Sequence, residues 1–385
     1  MSDMEYIKLG ELVELKQGMA INAKSNHFVS KEETSLALLR IADMPTKSRV
    51  VFMSEDTPER FIASKDDIIY TRTGQVGLVF REQQGVVHNN CFRIIPNDEN
   101  KLDKGYLYWY LSLNSIRNFA NSIASGSAQP DLPHTTFKKI KIWFPEIDIQ
   151  RKIASTLDQY ELAIENNNKR IRLLAQMAEN LYKEWFVRFR FPGYKDVEFD
   201  GTLPIGWQYQ PISESMDFFD SQRVPLSSMQ RDGMEKIYPY YGAAKLMDYV
   251  DDYLFDGEYL LLGEDGTVVT TDGFPVLQLV NDKFWVNNHA HVIRGKGNLS
   301  TRFLYLTFCR FPITGVVTGS AQPKISKGRL EKLKILVPDA ITMEHFNNLI
   351  NPMFDEINVL KKQVIRITKQ RDMLLPRLMS GKLKV

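Results

Sequence analysis

Residues 149–189, IQRKIASTLDQYELAIENNNKRIRLLAQMAENLYKEWFVRF, decide the fold. Leu157, Ile164, Ile171, Ala178 and Trp185 recur every seven residues. Tyr160, Asn167, Leu174 and Leu181 fill the positions three further on, which is the two-row seam of a coiled coil. No Pro or Gly interrupts the pattern before Phe191-Pro192-Gly193. A helix of this length reaches about 60 Å at roughly 1.5 Å per residue, and its apolar seam needs a partner helix.

The sequence supplies that partner. At a constant offset of 193 the pattern returns as Ile350, Ile357, Val364, Arg371 and Leu378, with Met353, Leu360, Ile367 and Leu374 in the second row. Arg371 and Asn167 are the polar departures. The same offset links Gly-Ser-Ala-Gln-Pro at 126–130 to an identical pentapeptide at 319–323. Heptads are common, but an exact pentapeptide in register with a matched helix is an internal duplication. If the copies are related by a twofold axis, their helices pair antiparallel.

Each half has the same order. In the first, residues 5–15 form a short strand or helix. Leu36–Ile41, Val50–Met53, Ile68–Tyr70, Leu78–Phe80 and Val86–Ile95 read as strands from their length and β-branched content. Arg72–Gly77 is a Gly-bracketed turn, Tyr106–Asn121 is helical, and Ile140–Pro145 is a last strand. In the second, Trp207–Ser213 opens the half, Tyr259–Leu262 is a strand, and Gly263–Thr267 takes the place of the first turn. Phe284–Ile293 parallels Val86–Ile95, with Asn287-Asn288 beside Asn89-Asn90; Phe303–Phe311 is helical and Leu333–Pro338 is a strand. The expected fold is α+β: two mixed, strand-rich domains, 1–148 and 207–339, with long antiparallel coiled-coil helices at 149–191 and 340–385, a linker at 192–206, and pseudo-twofold symmetry. Pro352 and Pro376 predict a kink, a late start or an early end in the second helix.

At 385 residues the chain is long enough for two cores, and 43% hydrophobic with 25% charged residues is ordinary for a globular protein. Nothing approaches the ~18 apolar residues of a membrane span, and Met-Ser-Asp-Met-Glu lacks the basic and apolar parts of a secretory signal. Cys91 and Cys309 occupy non-equivalent places, so the expected compartment is a reducing cytoplasm, with no membrane partner. Net charge is only +2, but residues 361–385 carry eight Lys/Arg against Asp372, whereas 248–272 is acidic. Basic groups along one groove suffice for nucleic-acid binding.

Catalytic signatures are missing from the sequence. Neither Gly295-Lys296 nor Gly381-Lys382 has the upstream Gly of a phosphate-binding loop. Asn351-Pro352-Met353-Phe354 lacks the second Pro of the amino-methyltransferase motif and lies inside the heptads. Pro130-Asp131 is not followed by the acidic-x-Lys of common nucleases. His88, His289 and His291 lack accompanying ligands, so core or loop roles are expected and no metal site.

The order strand, helix, Gly-Ser-Ala-Gln-Pro, Lys-Ile-Lys-Ile-Trp-Phe-Pro, Gln-Arg-Lys-Ile-Ala and a helix ending Leu-Tyr-Lys-Glu-Trp-Phe resembles the specificity subunits of type I restriction-modification enzymes. The resemblance covers nearly the whole chain, twice, and is tightest at 126–190 and 319–381. It implies a non-catalytic subunit with two target recognition domains, each reading half of a bipartite, asymmetric site in double-stranded DNA. It implies helices that act as spacer and as the docking site for two modification (methyltransferase) subunits, which restriction (translocase/nuclease) subunits join. S-adenosylmethionine, ATP and Mg would be used by those partners, with no cofactor bound by this chain.

Base edges are read by bidentate side chains, Arg on guanine and Gln or Asn on adenine. Candidates in the first half are Arg72, Thr73, Gln75, Asn89, Asn90, Ser127 and Gln129. In the second they are Glu264, Asp265, Asn287, Asn288, Ser320, Gln322 and Lys324; an acid can accept from the amino group of cytosine, although exclusion from the interface is the better fit for Glu264. A loop shared by both halves suits backbone positioning as well as discrimination. Two competing readings have the same sequence basis. One is the recognition subunit of a bipartite-cutting system with a fused modification and cleavage partner; the other is a coiled-coil scaffold that does not bind DNA.

Overall fold

In a computed structural model of the protein, residues 5–126, 128–319 and 322–385 are described. Ser127 and Ser320 lie outside them. Contacts divide the chain into two units, Met1–Glu165 with Val364–Val385, and Asn166–Gln363.

The first unit has two larger sheets and a two-stranded one among its described residues. One orders Val13–Gln17, Cys91–Pro96, Ile68–Thr71 and Val79–Phe80, antiparallel throughout. The other is five-stranded, and its strand Leu36–Leu39 pairs parallel with Gly85–Val87. Leu36–Leu39 and Ile68–Thr71 are buried at every position, which is why they read as unbroken apolar runs rather than alternating ones. Residues 5–15 form a strand (Tyr6–Lys8), one helical turn and a second strand (Val13–Gln17); the first strand pairs with Lys141–Trp143.

The second unit repeats this plan. Met216–Phe218, Ala290–Gly295, Tyr259–Gly263 and Leu277–Val280 form a four-stranded antiparallel sheet in the equivalent order. In its second sheet Tyr238–Tyr241 pairs parallel with Lys283–Val286, and Gln208–Pro211 pairs with Lys334–Val337. Each unit also has a short helix N-capped by a side chain. Asp103 accepts from the Tyr106 amide (2.8 Å) at Lys104–Leu111, and Ser300 from the Phe303 amide (3.1 Å) at Thr301–Phe308.

Three expectations are corrected. Val86–Ile95 is not one strand: the Cys91 amide turns back to the His88 carbonyl (2.9 Å), separating Gly85–Val87 from Cys91–Pro96. Phe284–Ile293 breaks likewise into Lys283–Val286 and Ala290–Gly295. Tyr106–Asn121 is two helices, Lys104–Leu111 and Asn114–Ser122. Apolar runs with a polar turn of two or three residues look continuous in sequence because both flanks are buried.

The first long helix runs Ile147–Tyr182 and ends in a π-helical turn, Lys183–Val187. Its start is tied down by fully buried Gln150, whose Nε2 donates to the Pro145 and Lys101 carbonyls (2.8 and 3.0 Å) while Oε1 accepts from the Asp103 amide (3.0 Å). The second runs Ala340–Met379 without interruption. Asp339 caps it, accepting from the amides of Ile341 (3.0 Å) and Thr342 (2.9 Å). Both prolines therefore lie inside this helix. At Pro352 a ladder bond is lost, but Ile350, Phe354 and Ile357 are buried on one side, and Arg302 Nη1 donates to the Asn351 carbonyl (2.8 Å).

The seam joins the core of both units. In the second, Ala178, Tyr182, Trp185 and Phe186 pack with Phe346, Ile350, Phe354 and Ile357. The helices run antiparallel there, since Asn167 meets Gln363 (3.2 Å) and Arg170 pairs with Glu356. In the first unit Ile153, Ala154 and Leu157 share a core with Leu375, Leu378 and Met379. The polar departures are accommodated: Arg371 pairs with Glu161 and its guanidinium lies 5.9 Å from the Trp109 ring centre. Asn167, 9% exposed, donates to the Gln363 amide oxygen.

Candidate nucleic-acid interface

The two pentapeptides sit at equivalent places, one in each unit. The residues on either side of each pentapeptide pair with one another. Ser125 and Asp131 exchange both backbone bonds (2.8 Å each), and Thr318 pairs with Lys324 across the second. The shared Gly is required: Gly126 and Gly319 have φ of +88° and +81°, and a Cβ would come 2.9 and 2.4 Å from the carbonyls of Gln129 and Gln322. Each hairpin closes onto the turn after the central strand. The Gly74 amide donates to the Pro130 carbonyl (2.8 Å) and the Gly266 amide to that of Pro323 (3.0 Å). Leu132 donates to the Arg72 carbonyl (2.9 Å) and Ile325 to that of Glu264 (2.8 Å).

Side chains complete each cluster differently. In the first unit Arg72 binds Asp131 through both Nε (3.1 Å) and Nη2 (2.6 Å), and its Nη1 donates to Gln17 Oε1 (3.1 Å). Thr73 Oγ1 donates to the same Asp131 carboxylate (2.5 Å). The hydrogen bond and charge of Arg72 hold the Asp131 carboxyl below the usual carboxylate range, against burial. His134 lies beside this pair. Burial, then Arg72 and Lys138, push its imidazole below the ordinary value.

In the second unit the pair is Glu264 with Lys324 (3.4 Å). Arg223 Nη1 donates to Glu264 (2.7 Å) and to the Ala290 carbonyl (2.7 Å). His291, 1% exposed, lies between Asp220 (2.7 Å) and the Ile325 carbonyl (2.8 Å). Burial raises the Asp220 carboxyl, but the His291 bond, the Val292 amide and Arg223 outweigh it, so it falls below its ordinary value. Asp220, Glu264 and His291 are close enough to hold a cation. Arg223 already supplies the positive charge there, however, and both His291 nitrogens are engaged, so the trio is an ion-pair network that holds the hairpin base.

The sequence-predicted residues divide accordingly. Gln75, Gln129, Asn288, Gln322 and Lys324 are exposed, as a reader requires. Arg72 and Thr73 are half-buried and bound to Asp131. Asn89 and Asn90 work through their backbones: the Asn89 carbonyl accepts from Gln17 Nε2 (2.6 Å), and that of Asn90 from the Arg72 amide (2.8 Å). Asn287 is buried, its Oδ1 accepting from the His289 amide (2.9 Å). The two Asn-Asn pairs are also out of register by one. The His289 carbonyl receives the Glu264 amide (2.8 Å), as that of Asn90 receives Arg72, so His289 matches Asn90 and Asn287 matches His88. Gln17, Asp131, Asp220 and Arg223 were missed. A signal existed for one of them, because Asp131 follows the first pentapeptide where Lys324 follows the second.

Two copies of a strand-rich head, each with a long heptad helix and each presenting one loop beside amide and charged groups, define a duplicated recognition protein. Residues 1–176 and 204–352 match the family described as the type I restriction modification DNA specificity domain, and the chain belongs to that family. It is thus a DNA-recognising specificity subunit of a type I restriction-modification system. It is 27% identical over 347 residues to the MjaIX specificity subunit of Methanocaldococcus jannaschii, covering 84% of this chain and 79% of that one. It is 22% identical to the EcoprrI specificity subunit of Escherichia coli, covering 72% and 69%. The structure of the S subunit from M. genitalium has the same fold, with a TM-score of 0.64, 14% identity and coverage of 98% and 97%. No helix among the described residues is long and apolar enough to cross a membrane.

Proposed function

We propose that each head reads one half of a bipartite, asymmetric site in double-stranded DNA, and that the paired helices set the distance between half-sites. The observation that carries this is the repetition of one cluster, hairpin tip over strand-end turn, on two heads of the same sheet order. A duplicated pair of heads suits a duplex, whose backbone has its own twofold symmetry. Gln75 and Gln129 in one head, and Asn288, Gln322 and Lys324 in the other, are the exposed groups that would reach base edges or phosphates.

The helices would also dock two modification subunits. Apolar groups off the seam support this: Leu162, Leu173, Met177, Leu349, Val359, Ile365 and Met373 are exposed. In that assembly, joined by restriction subunits, S-adenosylmethionine, ATP and Mg serve the partners, and this chain acts in the cytoplasm without catalysing a step. Replacing residues 5–148 with the corresponding segment of a relative, and selecting bound duplexes from a random library with the modification subunits present, tests the reading. One half of the selected site should change; a change in both halves, or unselective and salt-independent binding, refutes it.

A further inference from the structure

We infer that Arg72 with Asp131, and Glu264 with Lys324, are positioning residues of one loop lock built in opposite polarities, which assigns each identical pentapeptide to its own head. The backbone bonds that seat the two hairpins are the same in both heads: Gly74 to Pro130 and Leu132 to Arg72 in one, Gly266 to Pro323 and Ile325 to Glu264 in the other. The tips are identical in sequence. Neither can tell one seat from the other. What differs is the sign of the residue just after the strand, Arg72 after Ile68–Thr71 and Glu264 after Tyr259–Gly263, and of the residue that follows the pentapeptide, and the two differ together.

The inversion extends past the pair itself. Behind Arg72 stands an acceptor, Gln17 Oε1 (3.1 Å); behind Glu264 stands a donor, Arg223 (2.7 Å). A Lys at 131 would face Arg72, and an Asp at 324 would face Glu264. Each is a like-charge contact at a partly buried site. The two locks also differ in how much depends on the swapped residue. Asp131 is 31% exposed and accepts three side-chain bonds, from Arg72 Nε, Arg72 Nη2 and Thr73. Lys324 is 50% exposed and shares Glu264 with a second cation, Arg223. The first head is therefore the more sensitive to a change at its swapped position.

This rests on the reading that the hairpin tips face DNA. The probe is a duplex selected from a random library by the wild-type chain with its modification subunits, measured by fluorescence anisotropy intact and with either half scrambled. Asp131→Lys should weaken binding at least tenfold, a decade being about 1.4 kcal/mol, by the same factor as scrambling one half-site. Arg72→Glu with Asp131→Lys should return affinity to within about threefold, and Lys324→Asp should quicken hydrogen exchange of the Gly266 amide less than Asp131→Lys quickens that of the Gly74 amide. Asp131→Asn, which adds no repulsion, should fall between wild type and Asp131→Lys if the lysine variant folds poorly. A reversed pair no better than the single substitution overturns the lock. If the wild type selects no sequence, the DNA reading fails instead. The lock is then judged by hydrogen exchange of the Gly74 amide, which should quicken in Asp131→Lys and slow again in the reversed pair.

Discussion

Arg302→Ala removes the side chain that joins the short helix of the second unit to the second long helix. Arg302 is 8% exposed. Its Nε donates to both Glu258 oxygens (2.8 and 3.1 Å), Nη1 to the Asn351 carbonyl (2.8 Å) and Nη2 to Asp355 (2.6 Å). Burial opposes the guanidinium charge, but Asp355 and Glu258 outweigh it and raise its pKa further. The three arms are unequal. Asp355 is 65% exposed, so that arm contributes about 0–1 kcal/mol. Glu258 is 20% exposed and would keep most of its desolvation without a partner, costing about 2 kcal/mol once its partial exposure is allowed for. The Asn351 carbonyl loses a charged donor when Arg302 is removed, which costs about 1 kcal/mol. The sum is about 3 kcal/mol. At roughly 2–4 °C per kcal/mol for a unit of this size, calorimetry should show the transition that includes the second unit lowered by about 6–12 °C. Asp355→Ala should lower it by no more than about 4 °C. Equal shifts for the two variants would refute the assignment of the main cost to Glu258 and the helix carbonyl.

Leu157→Ala, at a fully buried seam position packed with Leu375 and Leu378, should destabilise the first unit by about 3–5 kcal/mol in urea unfolding. Acid should weaken the first unit in two steps. His134 and His88 are held below the ordinary imidazole value, by burial and then by Arg72 and Lys138 for the one and Arg40 for the other. The unfolded chain therefore binds their protons first, and stability falls as pH drops below about 6.5. The depressed Asp131 carboxyl contributes stability that is complete above about pH 4 and is lost as pH falls through its folded value. Melting curves from pH 7.5 to 3 check both steps, and His134→Gln should shrink the first.

The duplication was legible because its signals are local. A heptad repeats its burial at fixed intervals whatever it packs against, and an identical pentapeptide needs no structure to be noticed. Buried strands were found but over-joined, since His88–Asn90 and the turn before Ala290 interrupt neither hydrophobic flank. The candidate readers were less legible. Asn287 and Asn288 share a sequence context with Asn89 and Asn90, yet one side chain is buried and the pairs are a residue out of step.

What the sequence alone determined was the two-copy plan, the helices and the loop at each head, because periodicity and identity are properties of the chain. What tertiary structure decided was which charges meet. Arg72 reaches Asp131 across 59 positions, and Arg302 reaches Asp355 across 53. Such pairs form when sheets and hairpins close, and their sign and depth depend on burial that no local pattern carries.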